Sequence, residues 1–380
     1  MKIVLIRQRF NPFGGAELHL NQLIRALTAE GHQITVVAEA WPQKNKHDPQ
    51  SPDQDCRLVE LGLSSTFRYA RLRAFCRAAG NWLEGPGRGR DVAISVDKVP
   101  GVDVYWTADG CHAAWLDQRS NYVSAVKRLS FKINPLHRTH LRLEREMLFH
   151  PGLKLVMANS MRVRDDLLKF YRLNPNLIRV VPTGVDPDRI VPPDRERAAA
   201  EVRAELDLGN NPFLLFVGSG FKRKGLGYAI RAMSLMKNKS AILVAAGKDP
   251  ARPYLNLARR LNLAGRVRLV GLRADVARLL AAADVFVLPT IYDPGAVSCL
   301  ESLVAGVPVV TTRTNGSADF IEPGLNGFIL ERADDLPGLT SALEAALELK
   351  PKLVTGQTPI PTMKKHINQI LSLLEEIQAG

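Results

Sequence analysis

Short apolar runs separated by helix-length amphipathic stretches recur along the whole 380-residue chain, and the series runs through twice. In the first half strand-like runs fall at 2–6, 33–38, 92–96, 102–106, 153–158 and 178–181. In the second they fall at 213–217, 241–246, 267–270, 284–288 and 307–310. Runs dominated by Val, Ile, Leu and Phe suit strands buried on both faces, and alternating β and α segments imply parallel sheets covered by helices. Between the two series lies Pro182-Thr183-Gly184-Val185-Asp186-Pro187-Asp188-Arg189-Ile190-Val191-Pro192-Pro193-Asp194, polar and proline-rich like an interdomain linker. Single cores rarely grow past roughly 250–300 residues. The expectation is therefore α/β, with two Rossmann-like domains over 1–190 and 191–361 whose parallel sheets face a central cleft. A last helix, about 362–380, follows a proline-containing loop and is free to pack back on the first domain.

Composition narrows the class. Hydrophobic residues make up 46% of the chain, as in a well-buried globular protein, and no apolar run approaches the roughly 18–20 residues that span a bilayer. Met1-Lys2-Ile3-Val4-Leu5-Ile6-Arg7 is too short for a signal peptide and reads as a first strand. Cys56, Cys76, Cys111 and Cys299 are scattered, which points to a reducing cytoplasm and away from a structural zinc. A net charge of +13 and a pI near 9.7 suggest an acidic partner: nucleic acid, anionic lipid or a phosphorylated substrate.

Three loops carry the chemistry. Tyr292-Asp293-Pro294-Gly295-Ala296-Val297-Ser298-Cys299-Leu300-Glu301 follows the strand at 284–288, so two carboxylates eight positions apart bracket a helix start at the C-terminal edge of a sheet. Open α/β sheets bind ligands at that edge, and helix starts offer unpaired N–H groups to phosphate. Gly218-Ser219-Gly220-Phe221-Lys222-Arg223-Lys224-Gly225 follows the strand at 213–217. Fixed cations there suit a departing diphosphate, the main electrostatic task in glycosyl transfer. In Phe10-Asn11-Pro12-Phe13-Gly14-Gly15-Ala16-Glu17, paired glycines allow a close backbone approach to an anion. The loop is not G-x-G-x-x-G, and no acidic residue sits where a dinucleotide ribose needs one, so NAD binding is not expected. Asp53-Gln54-Asp55 has the spelling of a metal-binding D-x-D but sits in a proline-rich stretch before a strand, and it reads as a solvated loop. No His or Cys cluster has ligand spacing, so no metal and no cofactor beyond a donor substrate is expected.

These residues resemble the retaining GT-B glycosyltransferases of family 4, most closely the lipopolysaccharide core glucosyltransferase I type. The resemblance covers about residues 1–330. It rests on Pro12-Phe13-Gly14-Gly15, the stretch from Val96 to Tyr105, Ala108-Asp109, Pro187-Asp188-Arg189, Val217-Gly218-Ser219, Arg223-Lys224-Gly225, and Leu300-Glu301 with Ala305-Gly306-Val307-Pro308-Val309. It implies that Arg223 and Lys224 hold the donor's diphosphate, with Gly14 and Gly15 closing on the phosphates from the other domain. It places Glu301 on the nucleotide ribose and Asp293 on the donor sugar's hydroxyls. Gly295, Ala296 and Val297 supply N–H groups beside those carboxylates, and Arg189 is a further donor-side cation. Retention without a covalent intermediate needs cations, sugar-binding groups and a closed cleft rather than a nucleophile. Asp293 is one methylene shorter than the family's usual Glu, which leaves the sugar open. Asp109 and His112 either orient the acceptor or are loop structure, and His19 and His112 have no certain counterpart.

From Arg119 to Arg145 the chain reads as helical and basic, broken at Pro135. Arg119, Lys127, Arg128, Lys132, Arg138 and Arg142 lie among bulky apolar residues, a mixture suited to anionic lipid. The resemblance implies the same surface: a lipid-linked acceptor on the cytoplasmic face of a bacterial inner membrane. The expected activity is transfer of a hexose, foremost glucose from UDP-glucose, to the heptose of the lipopolysaccharide inner core. Alternatives are a UDP-GlcNAc, UDP-GalNAc or ADP-heptose donor, another lipid-linked or polysaccharide acceptor, or a sugar-nucleotide epimerase. A nucleic-acid binder would show stacking aromatics among its cations, and aromatic residues make up only 6% of the chain.

Overall fold

A computed structural model describes residues 1–9, 15–40, 56–63, 67–349 and 360–379, with backbone alone over 15–19. The chain divides into two units, one of 1–182 with 365–380 and one of 183–364. The first unit holds β1 (Lys2–Ile6), β2 (Gln33–Ala38), β3 (Arg57–Glu60), β4 (Val92–Ser95), β5 (Val104–Trp106), β6 (Leu155–Ala158) and β7 (Ile178–Val180). They form one sheet in the order β3-β2-β1-β4-β5-β6-β7, every pair parallel. The second unit holds β8 (Phe213–Val217), β9 (Ile242–Ala246), β10 (Val267–Gly271), β11 (Val285–Leu288), β12 (Val309–Thr312) and β13 (Gly327–Leu330). Their order is β10-β9-β8-β11-β12-β13, again all parallel. Both sheets are of the doubly wound Rossmann kind. The strand order reverses between β1 and β4 and between β8 and β11, and the crevices beyond the carboxyl ends of those strands are the ligand positions the topology provides.

The central strands are buried over almost their whole length. Ile3, Leu5, Val92 and Ile94 in the first sheet, and Phe213, Leu214, Val285 and Phe286 in the second, are all within 1% of complete burial. The first helix, Gly15–Ala29, lays Leu20, Leu23, Ile24 and Leu27 on the first core and stops ahead of Gly31, which takes a positive φ of 81°. The edge strands β3 and β13 are absent from the sequence pattern, and both are only partly buried.

The boundary at 190–191 differs from the sequence expectation. Residues 183–190 side with the second unit: Val185 forms a β-bridge with Thr362, and Val185 and Ile190 are buried in that unit's core. The last helix, Met363–Ala379, joins the first unit from residue 365 on, seating Ile370, Leu373 and Leu374 in the same core as β1. The chain therefore passes between units twice, at 182–183 and at 364–365.

Candidate active site

In the second unit the loops after β8 and β11 flank the switch point and are tied to one another. Gly225 follows the four-residue helix Phe221–Lys224 with φ of 85°, and a Cβ there would collide with the carbonyl oxygen of Pro289. The carbonyl of Arg223 accepts from Ile291 N–H at 2.8 Å and from Thr290 Oγ1 at 3.0 Å. Thr290's own carbonyl accepts from the hydroxyls of Thr312 (2.6 Å) and Thr314 (3.0 Å). Asp249 receives the N–H of Gly220 at 2.6 Å. The basic loop and the carboxylate loop are thus fixed by main-chain contacts before any ligand arrives, which is how electrostatic catalysis avoids reorganisation cost.

The charged side chains converge at one point. Arg223 Nη1 donates to Asp293 Oδ2 at 2.7 Å and to the Tyr292 carbonyl at 2.9 Å, and Lys224 Nζ lies 3.2 Å from the same Oδ2. Burial alone raises the Asp293 pKa, but Lys224 and Arg223 more than offset it and hold the carboxyl down at about 2. Glu301, half-buried on the helix Val297–Val304, behaves in the opposite way. Burial pushes its carboxyl up to about 7, only partly opposed by Arg189 and Lys224. Arg189 lies exposed on the short helix Pro187–Ile190, which packs against Val297–Val304.

The three N–H groups named beside these carboxylates fare differently. Ala296 N–H is taken by Asn315 Oδ1 at 3.1 Å, and Gly295 N–H by Asp293 Oδ1 at 3.3 Å. Val297 opens its helix, where backbone N–H groups have no partner within the helix itself. Asn315 and the Thr290, Thr312 and Thr314 hydroxyls form a supporting layer that sequence spacing alone does not reveal. Gly14 lies outside the described residues, and Gly15 begins the helix Gly15–Ala29.

In the first unit, Arg7 after β1 lies 3.1 Å from Asp109 and 3.8 Å from Asp97, whose Oδ2 accepts the N–H of Gln8 at 2.6 Å. Asp109 faces solvent. His112 does not: its ring stacks on His140 with centroids 4.6 Å apart, and its Nε2 lies 3.2 Å from Nδ1 of His137. Burial, with Lys98 adding to it, lowers the His112 pKa to about 2, so the ring is neutral at ordinary pH. Asp109 is thus the exposed partner of Arg7, while the His112 ring is taken up by two neighbouring histidines.

Behind them lies a buried polar network. Lys98 Nζ is 3.5 Å from Glu144, which also accepts from Tyr171 Oη at 2.5 Å and from the N–H groups of His112 (2.9 Å) and Ala113 (3.3 Å). Glu144 closes the N-terminus of the helix His112–Ser120, a role usually filled by a local cap. Lys98 falls in the stretch from Val96 to Tyr105 that carries the family resemblance, the one sequence signal that pointed toward it.

The basic segment forms three helices, His112–Ser120, Ala125–Ile133 and Pro135–Leu148. The break at Asn134-Pro135 matches the proline; a further break arises because Ser124 caps Ala125–Ile133 through Lys127 N–H. Val126, Leu129 and Ile133 form an outward stripe, exposed by 81%, 60% and 69%. Lys127, Arg128, Lys132 and Arg138 are exposed beside it. Arg119 instead lies over the Phe131 ring, 4.7 Å from its centroid, and Arg142 pairs with Glu146 at 2.6 Å. Among the described residues no group of three or more His, Cys, Asp or Glu is placed to hold a metal ion, and no helix is long and apolar enough to cross a membrane. Asp53 and Asp55 lie outside the described residues.

Two parallel Rossmann-like units, the second carrying paired cations and carboxylates at its switch point, define the class as GT-B. The model for Glycosyltransferase Family 4 matches residues 13–189, and that for Glycosyl transferases group 1 matches 211–348. The chain belongs to the family 4 glycosyltransferases. It is similar to the lipopolysaccharide glucosyltransferase WaaG of Escherichia coli K12, 27% identical over 367 residues, covering 92% of this chain and 91% of that one. A crystal structure of WaaG superposes with a TM-score of 0.78 at 24% identity over 99% and 98% of the two chains. Anabaena HepE, solved in complex with UDP-glucose, shares the fold at a TM-score of 0.71 and 18% identity, covering 99% and 100%.

Proposed function

We propose that this glycosyltransferase moves a hexose, foremost glucose from UDP-glucose, onto the heptose of a lipopolysaccharide inner core with retention of anomeric configuration. The observation that carries the reading is the cation pair Arg223 and Lys224, fixed beyond β8 on the Asp293 carboxylate at the switch point of the second sheet, with the half-buried Glu301 within electrostatic reach of Lys224. A pyrophosphate meets the cations there, and ribose hydroxyls donate to Glu301. As the C1–O bond to phosphate breaks, its electron pair goes to the β-phosphate, where the cations offset the new charge. The acceptor oxygen bonds C1 on the same face and gives its proton to that phosphate. Similarity to WaaG along nearly the whole chain supports the lipopolysaccharide acceptor, and the UDP-glucose complex of HepE supports the donor.

The same reading places the enzyme peripherally on the cytoplasmic face of the inner membrane. The stripe of Val126, Leu129 and Ile133 enters the interface and Lys127, Arg128 and Lys132 meet anionic headgroups. Donor chemistry needs no metal, because Arg and Lys take the cation's place. The test is incubation with labelled UDP-sugars and ADP-heptose, with and without deep-rough lipopolysaccharide. Transfer from UDP-glucose only when acceptor is present supports the reading. Conversion of the sugar nucleotide without acceptor identifies an epimerase, and donors recovered intact in every reaction refute transfer.

A further inference from the structure

The resemblance gives Asp293 the donor sugar, yet its carboxylate is committed inside the protein. Oδ2 is shared between Arg223 and Lys224 at 2.7 and 3.2 Å, and Oδ1 accepts from Gly295 N–H at 3.3 Å. Its main chain is clamped on both sides, with N–H to the Thr314 carbonyl at 3.1 Å and its own carbonyl accepting from Gly316 at 2.9 Å. From that anchor a side chain one methylene shorter than glutamate reaches the cations and stops. Exposure is uneven across the trio: the Arg223 side chain is 34% exposed and Lys224 12%, but Asp293 only 7%. A ligand approaching this point meets the guanidinium before it meets the carboxylate.

We infer that Asp293 is a built-in counter-charge for the diphosphate clamp, a positioning residue that acts through Arg223 and Lys224 and does not read the sugar. This rests on the donor reading above. Two adjacent cations repel one another, and one shared carboxylate holds both in a single geometry while cancelling half their charge. The bound donor therefore meets a clamp of net charge +1 rather than +2. A clamp of lower net charge binds the intact donor less tightly, so less binding energy is spent before the leaving group departs. It also keeps the more highly charged UDP product from binding too tightly to leave.

The consequence runs against the usual effect of removing an active-site residue. Asp293→Asn keeps the shape and the acceptor for Gly295 but removes the charge. Calorimetric titration of the full-length protein should then show UDP binding about tenfold to a hundredfold more tightly than wild type, with a steeper salt dependence and a lower kcat. Asp293→Glu, which keeps the charge, should leave UDP affinity within about threefold. Asp293→Ser gives the same readout as Asn if Asn proves unstable. UDP affinity unchanged with UDP-glucose weakened would return Asp293 to sugar recognition and overturn the inference, as would UDP binding weakened in either neutral variant. If wild type binds no UDP, the donor reading itself fails, which these variants do not affect.

Discussion

Glu301 provides a prediction in which stability and function move in opposite directions. In the folded protein its carboxyl is pushed up from the ordinary 4.5 to about 7 because burial strips water from the charged form faster than Arg189 and Lys224 replace it. Below pH 4.5 the group is protonated whether folded or unfolded and costs nothing. Between 4.5 and 7 the native state binds the extra proton, so stability falls as pH rises, and above pH 7 the full cost is present. A shift of that size corresponds to about 3 kcal/mol. Glu301→Gln removes the charge and keeps the shape. It should therefore stabilise the ligand-free protein by about 3 kcal/mol at pH 8 and by nearly nothing at pH 4.5. The same change should weaken UDP binding about tenfold to a hundredfold, because a charged acceptor for the ribose hydroxyls becomes a neutral one. Urea unfolding monitored at both pH values, following the transition of the unit that contains Glu301, measures the first effect, and calorimetric titration the second. Equal stability of the two proteins at pH 8 would refute the dehydrated-carboxylate argument. A variant that gained stability without losing UDP affinity would refute its place in the donor site.

Other consequences concern the first unit. Lys98→Met leaves Glu144 buried without its cation, and loss of one partner of a buried pair costs about 3–5 kcal/mol. Because Tyr171 and two N–H groups still serve Glu144, the lower end of that range is expected in urea unfolding, with recovery in the Lys98→Met/Glu144→Gln double variant; a loss below about 0.5 kcal/mol would show the pair to be unimportant. The outward stripe can be emptied by replacing Val126, Leu129 and Ile133 with Ser. Their exposed surface together equals about two fully buried aliphatic side chains, roughly 4 kcal/mol or a thousandfold in partitioning to anionic vesicles. Co-sedimentation unchanged by the triple substitution, or insensitive to salt, would exclude this helix as the docking element.

The parts of this molecule that are legible in its sequence depend on local rules. Strands buried on both faces announce themselves as unbroken apolar runs such as Phe213–Val217, and loops that follow them must lie at the ligand edge of a parallel sheet. That is why Arg223, Lys224, Asp293 and Glu301 could be assigned to one edge before any coordinates. What they do to one another was not legible. Arg223 and Asp293 are 70 positions apart, and only the fold decides that the cations touch the carboxylate instead of leaving it for a sugar. The Ala296 N–H, a natural donor on paper, is consumed by Asn315, and the His112 ring is taken up by contacts with His137 and His140. The division at 182–183 was displaced for a related reason. A proline-rich stretch looks like a linker, but Val185 and Ile190 are apolar enough to be drawn into the nearer core.

In the proposed function, the β8–β11 switch point holds a nucleoside diphosphate through its two cations. Calorimetric titration of the wild-type chain with uridine, UMP and UDP, repeated with Lys224→Ala, tests it most directly. Affinity should rise with each phosphate added, and the step from UMP to UDP should collapse in the variant. Equal affinity for all three ligands, or a UDP affinity indifferent to loss of Lys224, would contradict it.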